Sequence, residues 1–252
     1  MPTSYGSLCD DFFVNMTLNT ELELPTERET ILNFFELVQK KFPTMNTFYQ
    51  QATGEFCLDE DREAGSYRWI SVEVDRICVG YVNPPELEMA DQLHRYVLEI
   101  ATYALGVSSL DIDALDVMMG MDFDYQGNHD EIFAQALFAD SPFGTLLDWD
   151  GTKPLGYDPS ILVSLGDDCR SQAKLSLESR TGAYQLRTRK YKEEEQLGIY
   201  LSIRQYPDPL VKFLSIDSYN RQRQVCEELM NDKIIPNFVT PISETIAQHR
   251  HQ

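Results

Sequence analysis

The chain has 252 residues, of which 42% are hydrophobic, enough for a substantial buried core and too apolar for an unfolded chain. Its formal net charge is −20, which argues against free nucleic acid as the partner of the surface as a whole. The charge is unevenly placed: residues 1–150 carry 7 basic and 28 acidic side chains (net −21), and residues 151–252 carry 14 and 13 (net +1). Such segregation reads first as a well-solvated acidic first half; the sharper alternatives are a cationic partner or two halves that attract each other.

Strand-like alternation comes first. Phe12, Val14, Met16, Leu18, Leu22 and Leu24 share one face, which predicts a half-buried strand over 12–24. Thr26 with Glu29 reads as a capping box opening a helix, whose apolar stripe is Ile31, Phe34, Phe35, Val38 and Phe42. Pro43 stops it. Three strands are expected next, over 48–58 with a break at Thr53-Gly54, over 67–74 and over 77–82. Asn83 is read as the cap of a second helix, striped by Leu87, Ala90, Leu93, Val97, Ile100, Ala101 and Ala104 and ended by Gly106. A further strand follows, with Leu115, Val117, Met119, Met121, Phe123 and Tyr125 on one face and Asp116, Asp122 and Asp124 on the other.

This order of strand, helix, strands, helix and strand predicts an α+β protein whose first half, 1–140, is a ferredoxin-like βαββαβ unit. A short helix over 128–139 leads out of it, and turn-rich residues around 141–151 mark a boundary. The second half, 151–252, reads as an antiparallel β-meander followed by C-terminal helices, packed closely on the first. Its strands are expected around Ile161–Leu165, at Leu175 and Leu177, over 184–192, and at Ile199, Leu201 and Ile203. Glu193-Glu194-Glu195 is read as the link between the last two. Helices follow over 210–231 and 242–248.

Seven acidic side chains and one of the four histidines fall within residues 111–131, making this stretch the first place to look for a metal or acid–base site. Gly127-Asn128-His129-Asp130 resembles a short element of the calcineurin-like metallophosphoesterases, in which Asn and His hold a divalent ion. That resemblance covers four residues, and the upstream D-x-H and G-D-x-x-D elements are missing. Asp122, Asp124, Gln126, Gly127, Asn128 and Asp130 also follow part of a calcium loop, but Phe133 stands where the bidentate Glu belongs. Asp122, Asp124, His129 and Asp130 are therefore the candidate metal residues, and a metal-assisted hydrolase is the alternative function they imply. Helix capping by Asn128, with Asp130 and Glu131 at the positive end of the helix, accounts for every polar residue here except His129.

The main basic stretch runs from Arg180 to Lys192. If it is a strand, Arg187, Arg189 and Tyr191 share one face and become candidate binding residues. A charged, solvent-facing strand, guarded as an edge against aggregation, is the simpler explanation of the same residues. His94 borders a helix stripe, and His249 and His251 lie at the C-terminal end. No G-x-S-x-G, Walker A loop, G-x-G-x-x-G or H-E-x-x-H occurs. The five cysteines form no C-x-x-C pair, which argues for reduced thiols rather than a disulfide framework or Cys-rich zinc site. The N-terminus lacks the pattern of a secretory signal and no apolar run is long enough for a membrane helix, so a cytoplasmic setting is expected. The missing catalytic motifs favour a non-enzymatic binding or protein-interaction module without a cofactor. A protein partner or a homodimer formed through an open sheet edge is the expected association.

Overall fold

The alternation of the first strand is realised almost residue by residue. In a computed structural model, β1 (Asp11–Thr20) buries every even-numbered side chain and leaves the odd ones half-exposed. The structure describes residues 4–192 and 195–250. The expected Glu193-Glu194 link and His251 lie outside the described residues.

The chain continues through α1 (Arg28–Lys41), β2 (Thr47–Gln50), β3 (Phe56–Asp59), β4 (Tyr67–Val72), β5 (Arg76–Val82), α2 (Leu87–Ala104) and β6 (Ile112–Asp124). There follow α3 (His129–Phe133), β7 (Ser160–Ser164), β8 (Ser171–Glu178), α4 (Ala183–Thr188), β9 (Gln196–Gln205), α5 (Ser215–Leu229) and α6 (Thr240–Arg250). Among the described residues these nine strands form one sheet in the order β2-β3-β4-β5-β1-β6-β9-β8-β7. Every neighbouring pair is antiparallel. Mixed helices and strands of this kind make the protein α+β, as expected. No helix among the described residues is long and apolar enough to cross a membrane.

The path repeats about the central β1–β6 pair. Each half begins with a central strand, β1 or β6, and then runs through a helical segment. Each then lays down a meander whose last strand, β5 or β9, returns beside the first. A long helix, α2 or α5, completes each turn of the path. All the main helices lie on one side, with α2 over β1 and β5 and α5 over β6 and β9. Their contacts bury Val14, Met16 and Leu18 of β1, Val117 and Met119 of β6, and Leu201 and Ile203 of β9. Among the described residues no main helix packs on the opposite face.

Four local expectations are corrected. The capping box at Thr26 does not form: Leu24 N–H bonds to Val74 O and holds the entry extended, and α1 starts after Glu27 without a side-chain cap. Asn83 does not cap α2, because its amide is spent elsewhere. Its Oδ1 accepts from Phe12 N–H at 2.9 Å, and its Nδ2 donates to Asp11 Oδ1 at 2.7 Å and to Gly65 O at 2.9 Å. The strand expected over 184–192 is instead α4, a short helix whose Gln185 side chain folds back to accept from Gly182 N–H. Both sides of β9 are already paired, with β6 and β8, so the connecting chain has no ladder to join. Finally, the C-terminal helices are one continuous helical run from Ser215 to Arg250. A π-helical stretch, Met230–Val239, admits Pro236, whose missing N–H would break a regular α-helix.

Between α2 and α5 lies a buried polar chain. The Tyr219 hydroxyl donates to Asp91 Oδ1 at 2.5 Å, and His94 Nδ1 lies 2.9 Å from that hydroxyl. Since the hydroxyl's proton goes to Asp91, His94 is the donor at Nδ1. Arg223 approaches Asp91 at 3.1 Å. Complete burial, with the Arg223 and Arg95 charges adding to it, pushes His94 down to about 3. Above the ordinary imidazole value of 6.5 both folded and unfolded forms are neutral. Below it the unfolded chain takes up a proton that the folded one refuses, so this stabilisation is lost as pH falls from 6.5 towards 3. Urea unfolding at pH 7 and pH 5 is expected to show wild type losing more stability on acidification than His94→Gln. Tyr219→Phe, which strips Asp91 of its donor, is expected to cost about 1–3 kcal/mol at either pH.

Candidate functional site

A pleated sheet with helices on one side must present its other side chains to solvent or to a partner. Here the odd residues of β1 and the even residues of β6 and β9 point away from the helices. Cross-strand pairing aligns them into rows. One row runs Trp69, Gly80, Asn15, Met118, Ser202, Lys174, Leu162, crossing seven strands. Its neighbour runs Cys78, Thr17, Asp116, Arg204, Gln172. Together they line a groove of about 440 Å³.

The groove is mostly neutral and rich in hydrogen-bonding groups. Trp69 and Asn15 both lean over Gly80, where a Cβ would collide with the indole and the amide. Asn15 Oδ1 is buried and has no donor among the described residues. The Cys78 thiol receives the Thr17 hydroxyl at 3.8 Å. Burial first, and then the nearby Glu73 charge, push that thiol up to about 12, which favours its protonated form at neutral pH. Arg204 and Asp116 form a two-pronged pair at 2.6 and 2.7 Å, and Asn19 also donates to Asp116 at 3.0 Å. Lys174 is exposed, and among the described residues its ammonium has no ion-pair partner.

The four metal candidates lie to one side of this groove, beyond Met118 along β6 and in the chain that follows it, in separate bonding environments. Asp122 is 8% exposed; it accepts from the Tyr200 hydroxyl at 2.7 Å, with Arg180 at 3.7 Å. Burial raises its pKa, opposed by the Tyr200 hydrogen bond and the Arg180 charge. Asp124 is exposed and accepts from Gln196, whose amide also reaches Asp11. His129 Nε2 donates to Tyr125 O at 2.9 Å while Nδ1 accepts from Arg180 N–H at 3.2 Å, and burial lowers its pKa. Asp130 is buried and accepts from Tyr157 N–H at 2.8 Å. Asn128 caps α3 as expected, its side chain accepting from Asp130 N–H. Among the described residues no group of three or more His, Cys, Asp or Glu side chains is arranged to hold a metal ion.

The basic candidates are also dispersed. Arg187 lies in α4, Arg189 ends it with φ +56, and Tyr191 follows in irregular chain. They share no strand face and do not line the groove. Sequence reasoning passed over Trp69, Asn15, Arg204 and Lys174. The signal available was the run of amide and hydroxyl positions at period two, Asn15-Thr17-Asn19 against Gln172-Lys174 and Ser202-Arg204. It also missed Arg180, which joins two of the candidate environments: its main chain bonds His129, and its guanidinium donates to Tyr200 at 2.9 Å.

With these side chains committed to protein partners, calorimetric titration with Mg²⁺, Mn²⁺, Ca²⁺ or Zn²⁺ is expected to show no saturable binding tighter than about millimolar. Comparison with known protein families finds no model that matches the chain, and comparison with the curated proteins finds no matching sequence.

Proposed function

We propose that this chain is a non-enzymatic protein-interaction module whose working surface is the helix-free face of the sheet. The observation that carries the reading is the groove over Trp69, Asn15, Met118, Ser202 and Lys174, which draws its lining from seven neighbouring strands. A groove that crosses seven strands and mixes apolar with hydrogen-bonding groups suits an extended polypeptide segment better than a compact substrate. Among the described residues that line it, the one charge without an ion-pair partner is the Lys174 ammonium, since Arg204 is neutralised by Asp116. The segment it favours therefore carries a carboxylate. The buried acceptor Asn15 Oδ1 asks for an N–H or O–H from the same partner. Trp69 supplies the kind of aromatic anchor that dominates interface energies.

Two finer readings accompany this proposal. The strand order β6-β1-β5-β4, with α1 and α2 as crossovers, supports a ferredoxin-like unit extended by β2 and β3. Five free cysteines support a reducing, cytoplasmic setting.

Panning a displayed peptide library on the full chain tests the function. Enrichment of extended segments bearing Asp or Glu is expected, lost with Lys174→Glu and with Trp69→Ala and retained with Lys212→Glu, a charge reversal outside the groove. Equal enrichment on all four proteins, or none on wild type, overturns the reading.

A further inference from the structure

The two halves of the sheet differ by one strand. Counting outward from the central pair, β5, β4 and β3 correspond to β9, β8 and β7. β3 is then covered by β2, whereas β7 ends the sheet. The space beside β7 is thus the counterpart of the place β2 fills on the other side.

β7 has none of the usual guards of an edge. Its sequence, Ser-Ile-Leu-Val-Ser, contains no charge and no proline, and all five residues are exposed. Ile161 is 58% exposed, Leu162 61% and Val163 43%. Leu177 N–H bonds to Pro159 O, and Leu165 N–H bonds to Ser171 O. With the register Ile161↔Leu175, the odd residues of β7 therefore bond to β8. The N–H and C=O groups of Ser160, Leu162 and Ser164 point outward, away from β8.

Those outward groups are self-complementary. Ser-Ile-Leu-Val-Ser has the same chemical character read in either direction about Leu162. An antiparallel copy would set Ser160 against Ser164, Ile161 against Val163, and Leu162 against itself. The charge distribution favours the same pairing: β7 belongs to the half of net charge +1, whereas β2 belongs to the half of net charge −21. A β7–β7 contact brings the nearly neutral halves together, and it closes as a twofold dimer. A β7–β2 contact would instead propagate head to tail.

We propose that a second copy of this chain supplies the missing strand, its β7 pairing antiparallel with β7 about a twofold axis at Leu162. The sheet then runs without interruption through both copies. Leu162 also lines the groove, so the grooves of the two copies meet at the axis. The strand pair is small, and specific interfaces bury roughly 1,200–2,000 Å², so the dimer is reversible and concentration-dependent.

Sedimentation of the full chain over a range of concentrations is expected to show a monomer–dimer equilibrium. Leu162→Pro removes an outward N–H without touching a β7–β8 bond and is expected to weaken association by about tenfold or more. Leu162→Lys, which keeps the N–H, is expected to do the same through charge repulsion at the axis, with circular dichroism and melting temperature unchanged. Register is read by cross-linking in a Cys169→Ser background. Leu162→Cys is expected to form a disulfide-linked dimer on mild oxidation, since the paired Cα atoms stand about 5.5 Å apart. Ser160→Cys is not, because the two copies of that position are offset by about 13 Å along the strands. A monomer at every concentration overturns the proposal. So does a dimer indifferent to both Leu162 substitutions, or one cross-linked through Ser160→Cys rather than Leu162→Cys.

Discussion

The pairing of β1 with β6 is the constraint on which the rest depends. The ladder runs from Asp11↔Asp122 to Thr20↔Ile112, slipping register only beyond Asn19. On one side it presents Phe12, Val14, Met16 and Leu18 beside Met121, Met119, Val117 and Leu115 to the helices, all nearly inaccessible to solvent. On the other it presents Asn15, Thr17, Met118 and Asp116, the floor of the groove. Because side-chain direction alternates strictly along a strand, the same register fixes both the core and the open surface. A slip of one residue would exchange them.

Charge holds the two halves in the same arrangement. The first 150 residues are strongly acidic, and among the described residues arginines of the later chain meet aspartates of the earlier one at three places. Arg204 pairs with Asp116 and Arg180 with Asp122 on the open face, and Arg223 pairs with Asp91 between α2 and α5. The Arg223–Asp91 pair is the most enclosed, with both side chains at or below 10% exposure. Such a pair adds little net stability, but removing either partner leaves a buried charge. The uneven composition is thus partly an internal matter, each half answering the other's charge.

Much of this architecture was legible in the residues. Period-two runs located β1, β6 and β9, and helical stripes located α1 and α2, because one-sided burial writes itself into polarity. The failures are local and share a cause. Thr26, Asn83 and the 184–192 stretch each carry a good local signal, and each is overruled by a distant partner: Val74 for the entry to α1, Asp11 and Gly65 for Asn83, and the already paired edges of β9 for α4. The acidic stretch also meets distant partners. Asp122 and Asp124 share a strand face, but Tyr200 and Gln196, more than seventy residues away, bond to their carboxylates. The groove was hidden differently, since it is assembled from single residues on seven strands and no short motif marks it.

The repeated path has a consequence for how the chain can be built. β1 lies between β5 of its own half and β6 of the other, and β6 lies between β1 and β9. Each central strand therefore completes the neighbouring meander as well as its own. Severing the chain in the 139–159 connection would leave a first fragment with β6 stripped of β9, and a second with β9 stripped of β6. Both would expose long apolar rows that only the missing piece can cover. The order of folding is constrained likewise: the central ladder joins residues about a hundred positions apart, and no local hairpin can substitute for it. Assembly must wait for that long-range closure, and the two halves then gain their order together.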